Sequence, residues 1–203
     1  MDYRAMLNLA QLPGLLVGFR VLIAPLLLVD AMDHQTSIWF LVGYVLAILS
    51  DIFDGIIARR LGVSTPQLRQ ADSWADIWLF SCLALSTWWV HPDVLQQLRV
   101  PLLVAVAAQF SLFGISLIKF RKFPSFHTYT AKAWGIALLV ATLSLFGWGD
   151  SRALWVAITA CLVNSLEEIV MTLVLAKWHC DVLSLFHALK LRQSELINSV
   201  EKG

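Results

Sequence analysis

Charged residues are scarce in this chain. They make up 14% of its 203 residues, whereas 59% are hydrophobic and the mean hydropathy is +0.73. Soluble globular domains carry about 25% charged residues, so this composition excludes an ordinary soluble domain. The sequence therefore predicts an all-α integral membrane protein, and we expect no nucleic-acid partner. The formal net charge of +1 is less informative than the placement of the charges.

The chain also lacks a cysteine pattern typical of metal binding and the features of a cleaved signal peptide. The chain has only three cysteines, Cys82, Cys161 and Cys180, and their spacing does not match a metal site. We therefore predict neither a disulfide nor a zinc site. The N-terminus lacks a strongly basic segment, and no small-x-small cleavage site follows the first apolar run. We expect that run to be retained.

Six apolar segments are long enough to cross a bilayer core of about 30 Å, some with help from their flanks. They cover residues 12–31, 38–58, 75–91, 100–119, 132–149 and 153–177. The connections between them are short, and the sequence shows no internal repeat. We therefore expect residues 1–203 to form a single domain, a bundle of six transmembrane helices.

Lysine and arginine predict the orientation of this bundle, because cytoplasmic loops carry an excess of both. Most basic residues fall in the even-numbered connections and after the sixth span, whereas the opposite loops hold only Arg99 and Arg152. The N- and C-termini should therefore be cytoplasmic, as in a protein of the bacterial inner membrane. An amphipathic segment at about residues 181–199 should lie along the inner membrane surface.

Residues 51–76 place acidic side chains at the edges of two apolar segments, where charge is costly unless it has a function. The four acidic residues, here called the aspartate cluster, are Asp51, Asp54, Asp72 and Asp76. The first two share a helix face with Gly55 and Ala58, and the last two open the next helix. Singly, each could be a solvated helix cap, but none is needed for capping or topology. Together they suit Mg²⁺ or Mn²⁺, which prefer oxygen ligands.

This stretch resembles the signature of the CDP-alcohol phosphatidyltransferases, which reads DxxDGxxAR, eight residues, then GxxxDxxxD. The matching residues are Asp51, Asp54, Gly55, Ala58, Arg59, Asp72 and Asp76. Seven of the eight specified positions are thus met, and Leu68 replaces the second glycine. The segment before Pro25 is also similar to the family's first helix, with Arg20 in the place of its usual arginine.

The resemblance implies transfer of a phosphatidyl group from CDP-diacylglycerol, or a similar CDP-linked lipid, to an alcohol in phospholipid biosynthesis, with release of CMP. It implies two divalent metals, Mg²⁺ or Mn²⁺, bound by the aspartate cluster. It makes Asp76 the candidate general base for the acceptor hydroxyl. It also implies nucleotide binding by Asp51, Gly55, Ala58 and Arg59. Leu68 raises a question about the fit of that nucleotide pocket.

Basic residues between the fourth and fifth spans form a second candidate site. They are Lys119, Arg121, Lys122, His127 and Lys132. One interpretation is topology plus contact with anionic lipid head groups, worth about 1 kcal/mol per charge. The other is a phosphate-binding patch for a phosphorylated acceptor. For that patch, the candidates are Arg121, Lys122, His127 and Lys132.

Three more charged residues lie well inside the predicted spans and outside both candidate sites. Arg20 either reaches the inner interface or faces the aspartate cluster, and we favour the second arrangement. Glu167 and Glu168 lie deep in the sixth span, near Asn164. Three roles stay open for these two glutamates: a structural pair with Arg20, a proton-sharing hydrogen bond, or a part in the site of the aspartate cluster.

Other functions stay open on the sequence alone. One is the reverse scheme, in which a CDP-linked head group is transferred to diacylglycerol. Another is a divalent-cation transporter, although transporter sites lie near the bilayer midplane and these aspartates lie at one edge. A third is an inactive relative, for which Leu68 is the only support. Whether the protein assembles as a homodimer is also open.

Overall fold

The computed structural model of this protein describes residues 3–63, 65–122, 124, 126, 128–179 and 182–200. Within those residues the regular structure is entirely helical. The helices are α1 (Tyr3–Asp30), α2 (Ile38–Leu61), α3 (Pro66–Val90), α4 (Pro92–Gln97), α5 (Arg99–Phe120), α6 (Tyr129–Trp148), α7 (Arg152–Val174) and α8 (Leu185–Val200). The expected all-α fold class is confirmed for this part of the chain.

Five segments are long and apolar enough to cross a membrane: Gln11–Asp30 of α1, and all of α2, α5, α6 and α7. The chain is therefore an integral membrane protein. The predicted third span lies in α3, which has 25 residues but is not among the five. Tryptophan and serine recur in α3 and add little to hydropathy. The count of six spans and the orientation of the termini stay predictions.

The chain divides into two compact units, Met1–Gln96 and Gln97–Gly203. In the N-terminal unit, α1 packs against both α2 and α3. Small residues allow the helices to approach closely, since a β-carbon at Gly43 of α2 would lie 2.9 Å from Leu27 Cδ2 of α1. The prediction of a single domain stays a prediction.

The turn between α2 and α3 has a sequence explanation. Gly62 has a φ of 68°, which a glycine adopts without strain, and its N–H donates to the carbonyls of Ala58 and Arg59, so that α2 ends there. Thr65 caps α3 by accepting the N–H of Leu68 at 3.2 Å. The helix therefore begins at Pro66, before Asp72, which lies in its second turn. The expectation that Asp72 opens this helix is wrong, because the threonine–proline pair starts it earlier.

In the C-terminal unit, α7 packs against α5, α6 and α8. A buried apolar cluster joins the end of α7 to α8 and consists of Met171, Leu175, Val182 and Ala188. On the other side of α8, Phe186 is 62% exposed and Leu189 is 47% exposed. The predicted C-terminal helix thus exists with bounds 185–200, and its position along the membrane surface stays a prediction. Cys82 and Cys161 are buried free thiols, and Cys180 lies outside the described residues.

Candidate active site

The aspartate cluster surrounds one buried arginine. Arg20 of α1 has no exposed side-chain surface, and it contacts carboxylates from both α2 and α3. Its Nη1 lies 3.0 Å from Asp51 Oδ1 and 3.0 Å from Asp72 Oδ1. Nη1 also donates to Asp76, and Nη2 donates to Asp54. The expectation that Arg20 faces the aspartates is confirmed. The packing of α1 against both neighbouring helices places it there.

The four carboxylates differ in their exposure. The Asp54 side chain is 5% exposed, whereas those of Asp51, Asp72 and Asp76 are 40%, 36% and 37% exposed. The cluster therefore has a buried end at Asp54 and an open side at the other three residues. Because four carboxylates share one guanidinium, negative charge is in excess, and the open side favours a cationic ligand.

The donor set fits a divalent cation. Asp51, Asp72 and Asp76 each offer a carboxylate oxygen, and these three oxygens lie within 4.8 Å of one another. Carboxylate oxygens are the preferred protein ligands of Mg²⁺ and Mn²⁺. The structure thus groups three of the four predicted ligands. Asp54 lies outside this group, and its carboxylate binds Arg20 Nη2 at the buried end.

The residues predicted to bind a nucleotide lie on the same helix as Asp51. Ala58 is buried, and its carbonyl accepts the N–H of Gly62 at the end of α2. Arg59 is exposed, and its side chain turns back along the helix over Gly55. A β-carbon at Gly55 would lie 3.4 Å from Arg59 Nη1, an ordinary van der Waals contact, so the guanidinium lies close to this glycine.

The basic residues of the second candidate site, from the end of α5 to the first turn of α6, have several different contacts. Lys119 Nζ donates to the carbonyls of Thr172 and Leu173 at 3.0 and 2.7 Å, near the end of α7. Such carbonyls lack helical partners, so Lys119 has a helix-capping role. Lys122 Nζ lies 4.6 Å from the centre of the Trp178 ring. Lys132 Nζ lies 5.5 Å from that of Tyr129.

Arg121 and His127 are the other two candidates of the basic patch. Arg121 is exposed and ends α5 with a positive φ of 54°. His127 lies outside the described residues. Among the described basic residues between Lys119 and Lys132, one arginine is thus exposed and the three lysines each lie near an aromatic ring, with Lys119 also engaged in helix capping.

A second polar cluster occupies the C-terminal unit, and sequence reasoning found only part of it. This threonine–glutamate cluster consists of Thr128, Thr130, Asn164, Glu167 and Glu168. The glutamates accept from the two threonines, not from Arg20, whose four carboxylate partners are aspartates. The threonines were missed. A threonine directly before an apolar helical run is a typical N-cap and was the available signal.

Comparison with known proteins gives one result. The family model described as CDP-alcohol phosphatidyltransferase matches residues 10–179. No curated protein and no solved structure matches the chain. The matched range contains Arg20, the aspartate cluster and the basic residues after α5.

Proposed function

The chain belongs to the CDP-alcohol phosphatidyltransferase family, and from this premise we propose that it transfers a phosphatidyl group from CDP-diacylglycerol to a small alcohol. CMP is the second product. The observation that carries the proposal is the convergence of four aspartates from α2 and α3 on one side of α1, around Arg20. The membrane-spanning helices suit a donor whose acyl chains stay in the bilayer.

The aspartate cluster holds two divalent cations, Mg²⁺ or Mn²⁺, in this proposal. Asp51, Asp72 and Asp76 supply ligands from the open side, and Asp54 supplies one from the buried end. Bound divalent cations would neutralise the pyrophosphate of the donor and stabilise the leaving phosphate of CMP. The family is typically dependent on divalent metals, and the donor set supports that dependence here.

Asp76 acts as the general base in this scheme. Its carboxylate is 37% exposed and can reach an acceptor hydroxyl from the open side of the cluster. It takes the hydroxyl proton as the acceptor oxygen bonds to the phosphorus of the phosphatidyl group. The bond from that phosphorus to the CMP oxygen breaks, and CMP leaves with the bonding electron pair.

The nucleotide lies along the last turns of α2. Gly55 and Ala58 have small side chains that let a ligand approach the helix closely, and Asp51 borders the same face. The exposed guanidinium of Arg59 donates to the nucleotide phosphates. The arginine already crosses Gly55, so a larger side chain there would compete with it for space.

The acceptor is a phosphorylated polyol in this proposal, and glycerol 3-phosphate is the first to try. Arg121, Lys122, His127 and Lys132 offer positive charge to its phosphate. Replacing Arg121 or Lys132 with Gln should raise the acceptor KM more than the donor KM. Arg99→Gln is the matched control, because Arg99 is exposed at the other end of α5. Unchanged acceptor kinetics in both variants would assign the patch to topology and lipid contact.

The cytoplasmic side of a bacterial inner membrane is the proposed location of this chemistry. The support is the excess of lysine and arginine in the loops that flank the aspartate cluster and the basic patch. Soluble acceptors and CMP would enter and leave on that side.

Purified protein in detergent, supplied with CDP-diacylglycerol and a panel of alcohols, tests the transfer. We expect CMP release that depends on one acceptor, together with a new phospholipid that contains it. The alternative scheme requires a CDP-linked head group and diacylglycerol instead. CMP release with that pair alone would favour head-group transfer and overturn the proposed donor.

A further inference from the structure

The threonine–glutamate cluster joins the starts of two helices to the middle of a third. Thr128 is fully buried as the N-cap of α6, where it accepts the N–H of Ala131 at 3.1 Å. Its hydroxyl donates to Asn164 Oδ1 at 2.9 Å. A side chain that caps one helix and donates to another fixes the start of α6 against α7.

Glu167 makes the connection to the third helix. Its Oε2 accepts from the Thr130 hydroxyl at 2.5 Å, and its Oε1 accepts the N–H of Leu185 at 3.0 Å. Leu185 is the first residue of α8, where backbone N–H groups have no helical partner. The N–H of Tyr129 also donates to the carbonyl of Leu183 at 3.2 Å. One carboxylate of α7 therefore holds the starts of α6 and α8 together.

The basic patch adjoins the start of α6. Residues at the end of α5 are also fixed by hydrogen bonds. The Ser116 hydroxyl donates to the carbonyl of Lys122 at 2.8 Å, and Lys119 Nζ donates to the end of α7. Lys122, near the start of the patch, is thus bonded to α5, and Thr128 is bonded to α7 through the threonine–glutamate cluster. Lys132 lies in the first turn of α6, which Thr128 and Thr130 attach to α7.

From these contacts we propose that Glu167 is a positioning residue for the acceptor. By holding the starts of α6 and α8, it fixes the first turn of α6 and so the place where Lys132 meets the acceptor phosphate. This role rests on the proposed function, because that function assigns the basic patch to acceptor binding. It gives α8, at the end of the chain, a part in recognition of the acceptor.

The choice of a glutamate supports a role beyond packing. An apolar side chain could fill the space between α6 and α7, but it could not accept both a hydroxyl and a backbone N–H. A carboxylate satisfies both donors with separate oxygens. Charge-assisted hydrogen bonds are also shorter and more directional than apolar contacts, so they set position more closely.

Glu167→Ala removes both bonds and is the main test. We expect faster amide hydrogen exchange at residues 128–131 and 185–189. We also expect an acceptor KM raised by about tenfold, the equivalent of losing one hydrogen bond to a charged group, with the donor KM little changed. Glu167→Gln should be intermediate, because its amide oxygen still accepts from Leu185. Thr159→Val is the matched control, since this exposed threonine of α7 donates only to the Trp155 carbonyl of its own helix.

The outcomes separate the two proposals. An active Glu167→Ala protein with wild-type acceptor KM would overturn the positioning role alone, even if hydrogen exchange becomes faster. Wild-type protein without CMP release for any acceptor would overturn the proposed function and the positioning role with it. If Glu167→Ala does not fold, Thr130→Val tests one of the two bonds. It should raise the acceptor KM by a smaller factor, and an unchanged value would contradict the proposal.

Discussion

The two polar clusters of this protein are built from different chemistry. In the N-terminal unit, four carboxylates share one guanidinium, and three of them are between 36% and 40% exposed. In the C-terminal unit, the carboxylates of Glu167 and Glu168 accept from threonine hydroxyls and from a backbone N–H. The carboxylates of the first cluster surround a cation and have an open side, whereas those of the second accept from uncharged donors, and three of its five residues are buried.

This difference indicates which cluster binds a ligand. Excess negative charge beside an apolar bilayer is unfavourable, so the aspartate cluster gains from a cation brought by solvent. The carboxylates of the threonine–glutamate cluster accept hydrogen bonds from other groups of the protein, and the cluster contributes to the relative placement of α6, α7 and α8. Three variants test this comparison, and a fourth tests the family signature.

Asp76→Asn should have the largest effect, and it tests whether the aspartate cluster is catalytic. An amide fills the same space but cannot take the acceptor proton, so turnover should fall by about 10²- to 10⁴-fold. Donor binding should be retained. Initial rates of CMP release measure turnover, and a nucleotide-binding assay measures donor binding. Asp93→Asn is the control, because Asp93 is exposed and lies in α4. A variant with near wild-type turnover would assign Asp76 another role.

Arg20→Met should cause the largest loss of stability. It removes a fully buried cation and leaves four aspartates to repel one another, at a cost of about 3–5 kcal/mol. The midpoint of thermal unfolding in detergent should fall, and added Mg²⁺ should recover part of the loss by binding the native state. Arg152→Met, at a side chain that is 90% exposed, should leave the midpoint unchanged. A stable, metal-insensitive Arg20→Met protein would show that the cluster does not need positive charge.

Asn164→Ala should destabilise the protein less than Arg20→Met does. Its Oδ1 lies within hydrogen-bond distance of the hydroxyls of Thr128 and Thr130, so its removal takes a partner from one fully buried and one partly buried hydroxyl group. The expected cost is about 1–3 kcal/mol, again read from the unfolding midpoint. Because this cluster is structural, Mg²⁺ should not recover the loss. Recovery by Mg²⁺ equal to that of Arg20→Met would erase the distinction between the two clusters.

Leu68→Gly should have the smallest effect and tests the one departure from the family signature. Leu68 lies in the first turn of α3, where its N–H is bonded to the Thr65 side chain. Glycine costs up to about 1 kcal/mol in a helix, so the fold should survive. Binding of cytidine nucleotides should be preserved or improved. Loss of binding in a folded variant would show that Leu68 belongs to this protein's own nucleotide pocket.

Much of the candidate site could be predicted because its evidence is local in sequence. Helical spacing alone predicts that Asp51 and Asp54 share a face, and the family signature joins them to Asp72 and Asp76. Arg20 required the looser pattern of the first helix, because nothing in its own neighbourhood indicates which of two helices it faces. The structure adds that Arg20 contacts aspartates of both α2 and α3.

Contacts between distant residues limited the rest of the prediction. Lys119 resembles its basic neighbours in sequence, yet its ammonium group caps a helix that ends at Val174. Glu167 lies 18 residues before Leu185, and no periodic pattern relates the two. Such contacts arise from tertiary packing, which local propensity and hydrophobic periodicity do not encode.

We propose that the aspartate cluster performs metal-dependent phosphatidyl transfer. Its most direct test is CMP release from CDP-diacylglycerol and glycerol 3-phosphate by purified protein, before and after removal of divalent cations with a chelator. We predict that the chelator abolishes CMP release and that excess Mg²⁺ or Mn²⁺ restores it. Undiminished CMP release in the presence of the chelator would contradict the account.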